Sequence, residues 1–266
     1  LKQRIVTGAI AGAVFLALLA WGGFAYAALI MLLAIIGYYE FVRLIGLKSA
    51  PLTAMFGLIG TLLLAAPWSV FDALHLPERG ATVIWLALFG LLAVTVFTKN
   101  RIPIDQAALL FLGVVYLGFG FHYMIATRLP EHGLFWTLFV FVCIWVTDSG
   151  AYFVGSKLGK HPLWPAISPK KSVEGAIGGI AAAVVTAVIF ALLAPDRVAL
   201  VHAVSLGIVI GIVGQLGDLM QSAYKRVKGI KDTGTILPGH GGVLDRVDSW
   251  LIVFPFLHLT GLLAVS

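Results

Sequence analysis

The chain has 266 residues, of which 60% are hydrophobic and only 11% charged, with a net charge of +6 and a mean hydropathy of +1.02. A soluble domain carries about 25% charged residues, so a water-soluble fold of this composition would expose large apolar patches. An ordinary soluble enzyme or nucleic-acid-binding domain is excluded, and the positive charge is read as a topology signal on a protein embedded in lipid.

A hydrocarbon core about 30 Å thick needs about 20 apolar residues per helix. Candidate spans run at 5–22, 24–46, 51–68, 80–97, 104–127, 133–156, 173–194, 198–221 and 242–263. Turn or charge signals bound them: Trp21-Gly22-Gly23, Lys48-Ser49-Ala50-Pro51, Leu76-Pro77-Glu78-Arg79 and Lys99-Asn100-Arg101. The N-terminus imitates a secretory signal, with Lys2 and Arg4 before an apolar stretch and Ala25-Tyr26-Ala27. Because the apolar pattern continues into further spans, an uncleaved first helix is expected. The sequence starts at Leu1 rather than Met, so the natural start is expected to be missing or altered.

Counted by connection, fifteen Lys and Arg fall on one side and three (Arg79, Arg128, Arg197) on the other. That asymmetry predicts a cytoplasmic N-terminus and, with nine spans, an outside C-terminus. The expected fold is therefore an all-α, polytopic membrane protein of about nine transmembrane helices. It forms a single membrane domain over 1–266, in which 1–130 is mainly anchor and 131–266 carries a cytoplasm-facing site. The lone cysteine, Cys143, excludes an intrachain disulfide and a cysteine metal site.

Carboxylates at membrane depth are expensive and usually face a polar cavity with a function. Asp148 lies inside the sixth span, Asp218 inside the eighth, and Asp245 and Asp248 open the ninth, three residues apart on one helical face. Gln215, Asp218, Ser222, Lys225 and Arg226 form a polar stripe at helical spacing that leads out of the membrane. The acids are either structural ion-pair partners or a divalent-cation site, since hard cations such as Mg²⁺ take carboxylate oxygens and bridge to phosphates.

Two basic loops accompany them. The first contains Ser168-Pro169-Lys170-Lys171-Ser172-Val173-Glu174-Gly175, hydroxyls and lysines just before a helix start, a ready anion site. Glu174 also fits plain helix N-terminal stabilisation. The second runs Lys225-Arg226-Val227-Lys228-Gly229-Ile230-Lys231-Asp232, then Leu237-Pro238-Gly239-His240-Gly241-Gly242 and Asp245-Arg246-Val247-Asp248. It reads as a topology signal or as a polyanion cradle, with His240 either a packed or solvated residue or a phosphate contact. A Ser222/His240/Asp245 hydrolase triad is set aside because no nucleophile elbow surrounds Ser222.

Ser222-Ala223-Tyr224-Lys225-Arg226, Lys231-Asp232, Gly234, Leu237-Pro238, His240-Gly241-Gly242, Asp245-Arg246 and Asp248 resemble the signature of the phosphatidate cytidylyltransferases, the CDP-diacylglycerol synthases of phospholipid biosynthesis. Asp148-Ser149-Gly150-Ala151-Tyr152 and the Ser168–Gly175 segment are also similar to that family, and Tyr224 departs from its usual aliphatic residue or Phe. The resemblance implies Mg²⁺-dependent transfer of CMP from CTP to phosphatidic acid at a plasma (inner) membrane, and it allows a second, monovalent cation. It implies a cation site on Asp218, Asp245 and Asp248, with Asp148 as a further ligand. Lys225, Arg226, Lys231, His240 and Arg246 would serve catalysis and phosphate neutralisation. Ser168, Lys170, Lys171, Ser172, Glu174, Ser222, Gly241 and Gly242 would line the substrate site. Nucleic acid is not an expected partner, while Gly- and Ala-rich helix faces are compatible with a homodimer. The competing readings are a CTP-dependent lipid kinase of the polyprenol or phytol type and an ion-coupled transporter.

Overall fold

The computed structural model of the chain describes residues 2–47, 51–69, 79–234 and 241–263. Its elements are α1 (Lys2–Trp21), α2 (Gly23–Ile45), α3 (Pro51–Ala65), α4 (Arg79–Phe97), α5 (Ile104–Arg128) and α6 (Gly133–Leu158). Then follow a short hairpin, β1 (Pro162–Trp164) and β2 (Ser168–Ser172), and α7 (Val173–Leu193), α8 (Leu200–Val227) and α9 (Leu244–Leu259). Helices are what lipid permits, because each satisfies its own backbone polar groups where no water can. Every candidate span coincides with one of these helices, and α2, α4, α5, α6, α7 and α8 are long and apolar enough to cross a membrane.

The first two spans are separate helices. Gly22 and Gly23 both adopt positive φ (74° and 52°), which a side chain would strain, and the chain turns there. Arg128 at the end of α5 donates from Nε to Leu19 O at 2.8 Å and from Nη2 to Ala20 O at 3.2 Å, satisfying carbonyls that the end of α1 leaves unpaired.

The chain divides into two compact units, one of Leu1–Leu129 with Asp232–Arg246 and the other of Pro130–Lys231 with Val247–Ser266. In the first, α5 is the inner helix: Leu110, Val114, Leu117 and Phe121 are fully buried and face α2, α3 and α4. Aromatic and branched side chains lie where the facing helix has a glycine, as Phe41 does at Gly113 and Leu64 at Gly118.

The second unit packs by small residues. Along α7 the buried positions are Gly175, Gly179, Ala183, Ala187 and Ala191, one per turn. This stripe lets the backbones of α6, α7 and α8 approach closely, the contact that drives helix association in lipid. Phe141 of α6 then packs against Trp250 and Phe254 of α9, with ring centroids 4.7 and 5.0 Å away.

Two local features differ from the expected helix-and-loop pattern. Residues 162–172, expected as loop, form an antiparallel hairpin pairing Pro162 with Ser172 and Trp164 with Ser168. The eighth helix continues six residues beyond the expected boundary at 221, to Val227. It ends where Ile230 N donates to Lys225 O and Gly229 N to Arg226 O, a Schellman turn.

Candidate active site

In the second unit, α6, α8 and α9 each contribute one aspartate: Asp148, Asp218 and Asp248. Gly217 is what lets α8 and α9 meet. A Cβ there would lie 3.0 Å from Asp248 O and 3.1 Å from Ser249 Cα, so the two backbones are nearly in contact. One turn earlier, Ser249 Oγ donates to Gly214 O at 2.9 Å and fixes the register. Asp148, Asp218 and Asp248 lie within electrostatic reach of one another, so their negative charges repel.

Basic side chains offset that repulsion. Lys171 Nζ, from β2, donates to Asp218 Oδ2 at 2.6 Å and also faces Asp148. Ser222 Oγ reaches Asp218 Oδ1 at 3.3 Å, one turn along α8. Lys225 bonds to Gln221 Oε1 at 3.3 Å and lies within electrostatic reach of Asp248. The donors are hard oxygens of the kind Mg²⁺ takes. Among the described residues no three His, Cys, Asp or Glu side chains already converge on one point as metal ligands. The Lys171 ammonium holds the place beside Asp218, so a divalent cation there requires that lysine to move aside. The set fits such an ion in kind.

The hairpin is tied to the end of α8 by Arg226, whose Nε donates to Ile167 O at 3.1 Å. Ser172 caps α7, its Oγ accepting from Gly175 N at 3.1 Å. Glu174 accepts from Lys160 N at 3.0 Å and His161 N at 3.2 Å and pairs with His161 Nδ1, closing the loop before β1. Ser168 is half-buried at the start of β2, while Lys170 and Lys231 are exposed.

The remaining sequence-derived residues lie in the first unit. Asp245 Oδ2 accepts three bonds, from Thr233 N at 2.8 Å, Thr233 Oγ1 at 3.1 Å and Gly242 N at 2.9 Å. Gly241 has φ +82°, and a Cβ there would come 2.7 Å from Asp245 Oδ2, so glycine is required on both counts. Arg246 is exposed and His240 lies outside the described residues. Sequence reasoning missed two members of this centre, Thr233 and Glu40. Glu40 lies within the second candidate span, where the expense of a buried carboxylate is a usable signal.

The sequence pattern of the Cytidylyltransferase family matches residues 2–263. A phosphatidate cytidylyltransferase of Bacillus subtilis (strain 168) is 43% identical over 264 residues, covering 97% of this chain and 96% of that protein. One from Staphylococcus haemolyticus (strain JCSC1435) is 37% identical over 259 residues, 97% and 98% of the two chains. One from Staphylococcus aureus (strain COL) is 34% identical over the same coverage.

Proposed function

The chain belongs to the cytidylyltransferase family, and we infer that it makes CDP-diacylglycerol, transferring CMP from CTP to phosphatidic acid with release of pyrophosphate. The observation that carries this is the match over nearly the whole chain to phosphatidate cytidylyltransferases. Three carboxylates within electrostatic reach of one another, with Lys171 and Lys225 beside them, support it, because nucleotidyl transfer relies on charged groups of both signs.

The lipid phosphate is already an anionic nucleophile, so attack on the α-phosphorus of CTP needs no serine or cysteine intermediate. Transfers of this kind depend on positioning and on stabilising charge. In this reading Asp148, Asp218 and Asp248 would hold a Mg²⁺ ion, and Asp245, in the first unit, also serves the transfer. When bound, that ion neutralises charge on the triphosphate and the departing pyrophosphate. Lys171 leaves Asp218 for a substrate phosphate, and Lys225, Lys231 and Arg246 offer further positive charge. Arg226 keeps the hairpin beside the end of α8, and so helps hold Lys171 at Asp218. Lys160, Lys170, Lys171, Lys225 and Lys231 belong to the Lys- and Arg-rich side of the chain. This supports a site facing the cytoplasm at the plasma membrane, where CTP arrives from water and the lipid enters from the inner leaflet.

The deciding experiment supplies purified protein in detergent with Mg²⁺, labelled CTP and phosphatidic acid, and identifies both products. CDP-diacylglycerol with equimolar pyrophosphate, abolished by EDTA and restored by Mg²⁺, is expected. Full turnover in EDTA would remove the metal from the reading. CDP as the nucleotide product would indicate a kinase, and solute flux without CTP consumption would indicate a transporter.

A further inference from the structure

One buried charge is not used by this reading. Glu40, in α2, has 1% of its surface exposed. A buried carboxylate is tolerated only where its oxygens are hydrogen-bonded or paired. Oε1 accepts from Val243 N at 2.9 Å, and Oε2 accepts from Leu244 N at 2.9 Å and from Thr233 Oγ1 at 3.2 Å. Its donors among the described residues are thus backbone amides and a hydroxyl rather than basic side chains. Val243 and Leu244 are the residue before α9 and its first residue, whose N–H groups have no partner within the helix and form its positive end. Glu40 is therefore a capping anion supplied by another helix, from about two hundred residues away in sequence.

The same threonine serves Asp245, giving its N–H and its hydroxyl to Oδ2. A threonine has one hydroxyl proton, so it donates to Glu40 or Asp245 at any moment, and the two carboxylates are linked through it. The pocket is fitted to this arrangement. A methyl group on Gly234 or Gly242 would overlap the Glu40 carboxylate.

We propose that Glu40 is a positioning residue for Asp245: it fixes Thr233 and the opening turn of α9, and through them the direction of the Asp245 carboxylate. This rests on the reading that Asp245 serves the cytidylyl transfer. Buried as it is, Glu40 touches no substrate, and its effect reaches the reaction only through the residues it holds.

The test compares Glu40→Gln, Glu40→Asp, Thr233→Val, Asp245→Asn and the Glu40→Gln/Thr233→Val double variant in the full-length protein. Gln keeps the shape of Glu but turns an NH₂ toward amide donors, losing one bond and opposing two donors. Measured are kcat, KM for both substrates, the Mg²⁺ concentration at half-maximal rate, the melting temperature and amide exchange over 241–246. Glu40→Gln should lower kcat about ten-fold or more while both KM values stay within about two-fold, and amides 242–245 should exchange faster. Glu40→Asp should recover part of kcat, and the double variant should lose little beyond Glu40→Gln alone, because the two residues share one route. A folded Glu40→Gln protein with unchanged kcat, beside an inactive Asp245→Asn, would overturn the proposal and leave the function standing. Fewer folded molecules that each turn over at full rate would overturn it too, by showing a purely structural role. If Glu40→Gln does not fold, Thr233→Val decides: a wild-type kcat overturns the proposal and a loss supports it. Wild-type turnover in Asp245→Asn would instead remove Asp245 from the reaction, whatever Glu40 does.

Discussion

The 2.6 Å contact between Lys171 and Asp218 sets what happens when either end is changed. Asp218→Asn removes the carboxylate that faces both Asp148 and Asp248, and turnover should fall by about two orders of magnitude or more in folded protein, measured as pyrophosphate release. Lys171→Met acts in two directions. It withdraws the ammonium that competes for Asp218, so less Mg²⁺ should be needed for the half-maximal rate. It also removes a positive charge from the phosphates, so kcat should drop; a magnesium titration of both variants separates the two effects. Asp245 and Asp248 stand out in the sequence as a pair three residues apart on one helical face, and Asp148 and Asp218 as charges inside apolar runs. Glu40 obeys the same rule, yet its partners are main-chain amides far along the chain, and no residue pattern marks an amide as a partner. Ser172 and Glu174 show the converse. Their residue types suit phosphate binding, but in the structure the Ser172 oxygen caps a helix and those of Glu174 close a loop, whereas the sequence suggests a structural role only for Glu174, at the helix start.

At the scale of elements, the helices were legible because hydropathy fixes where a chain can cross lipid, and their ends were less so. The eighth helix outlasts its apolar stretch because its stop is a Schellman turn at Gly229 rather than a change in hydropathy. The hairpin left no signal, its strands being only three and five residues long and half of their residues exposed. Where α8 meets α9, Gly217 leaves no room for a side chain. Gly217→Leu should therefore push the two helices apart and separate Asp218 from Asp248. The expected result is a protein that still inserts and purifies but loses most of its turnover. Normal kcat in that variant would show that the close approach is unnecessary.

The distribution of Lys and Arg predicts an orientation for the whole molecule, and its single cysteine makes that expectation measurable. Cys143 is buried, so a Cys143→Ala background gives a chain without thiols. In it, Lys160→Cys should react with a membrane-impermeant maleimide only from the cytoplasmic side, and Asp196→Cys only from outside. The reverse pattern would invert the topology. The grouping of Asp232–Arg246 with the first unit was not legible, because it rests on hydrogen bonds to Glu40 and on Leu244 packing at Gly37, contacts some two hundred residues apart that no local pattern marks. That arrangement has a consequence for biosynthesis. The ribosome finishes α2 some two hundred residues before Val243 and Leu244 exist. At about 5–20 residues per second, Glu40 waits on the order of ten to forty seconds for its partners. Throughout that interval a helix apolar enough to enter the bilayer carries an acid with nothing to hold it. Val243 and the start of α9 thus complete the second helix as well as themselves, and a nascent chain stopped before residue 243 would leave that acid without its amides in the membrane.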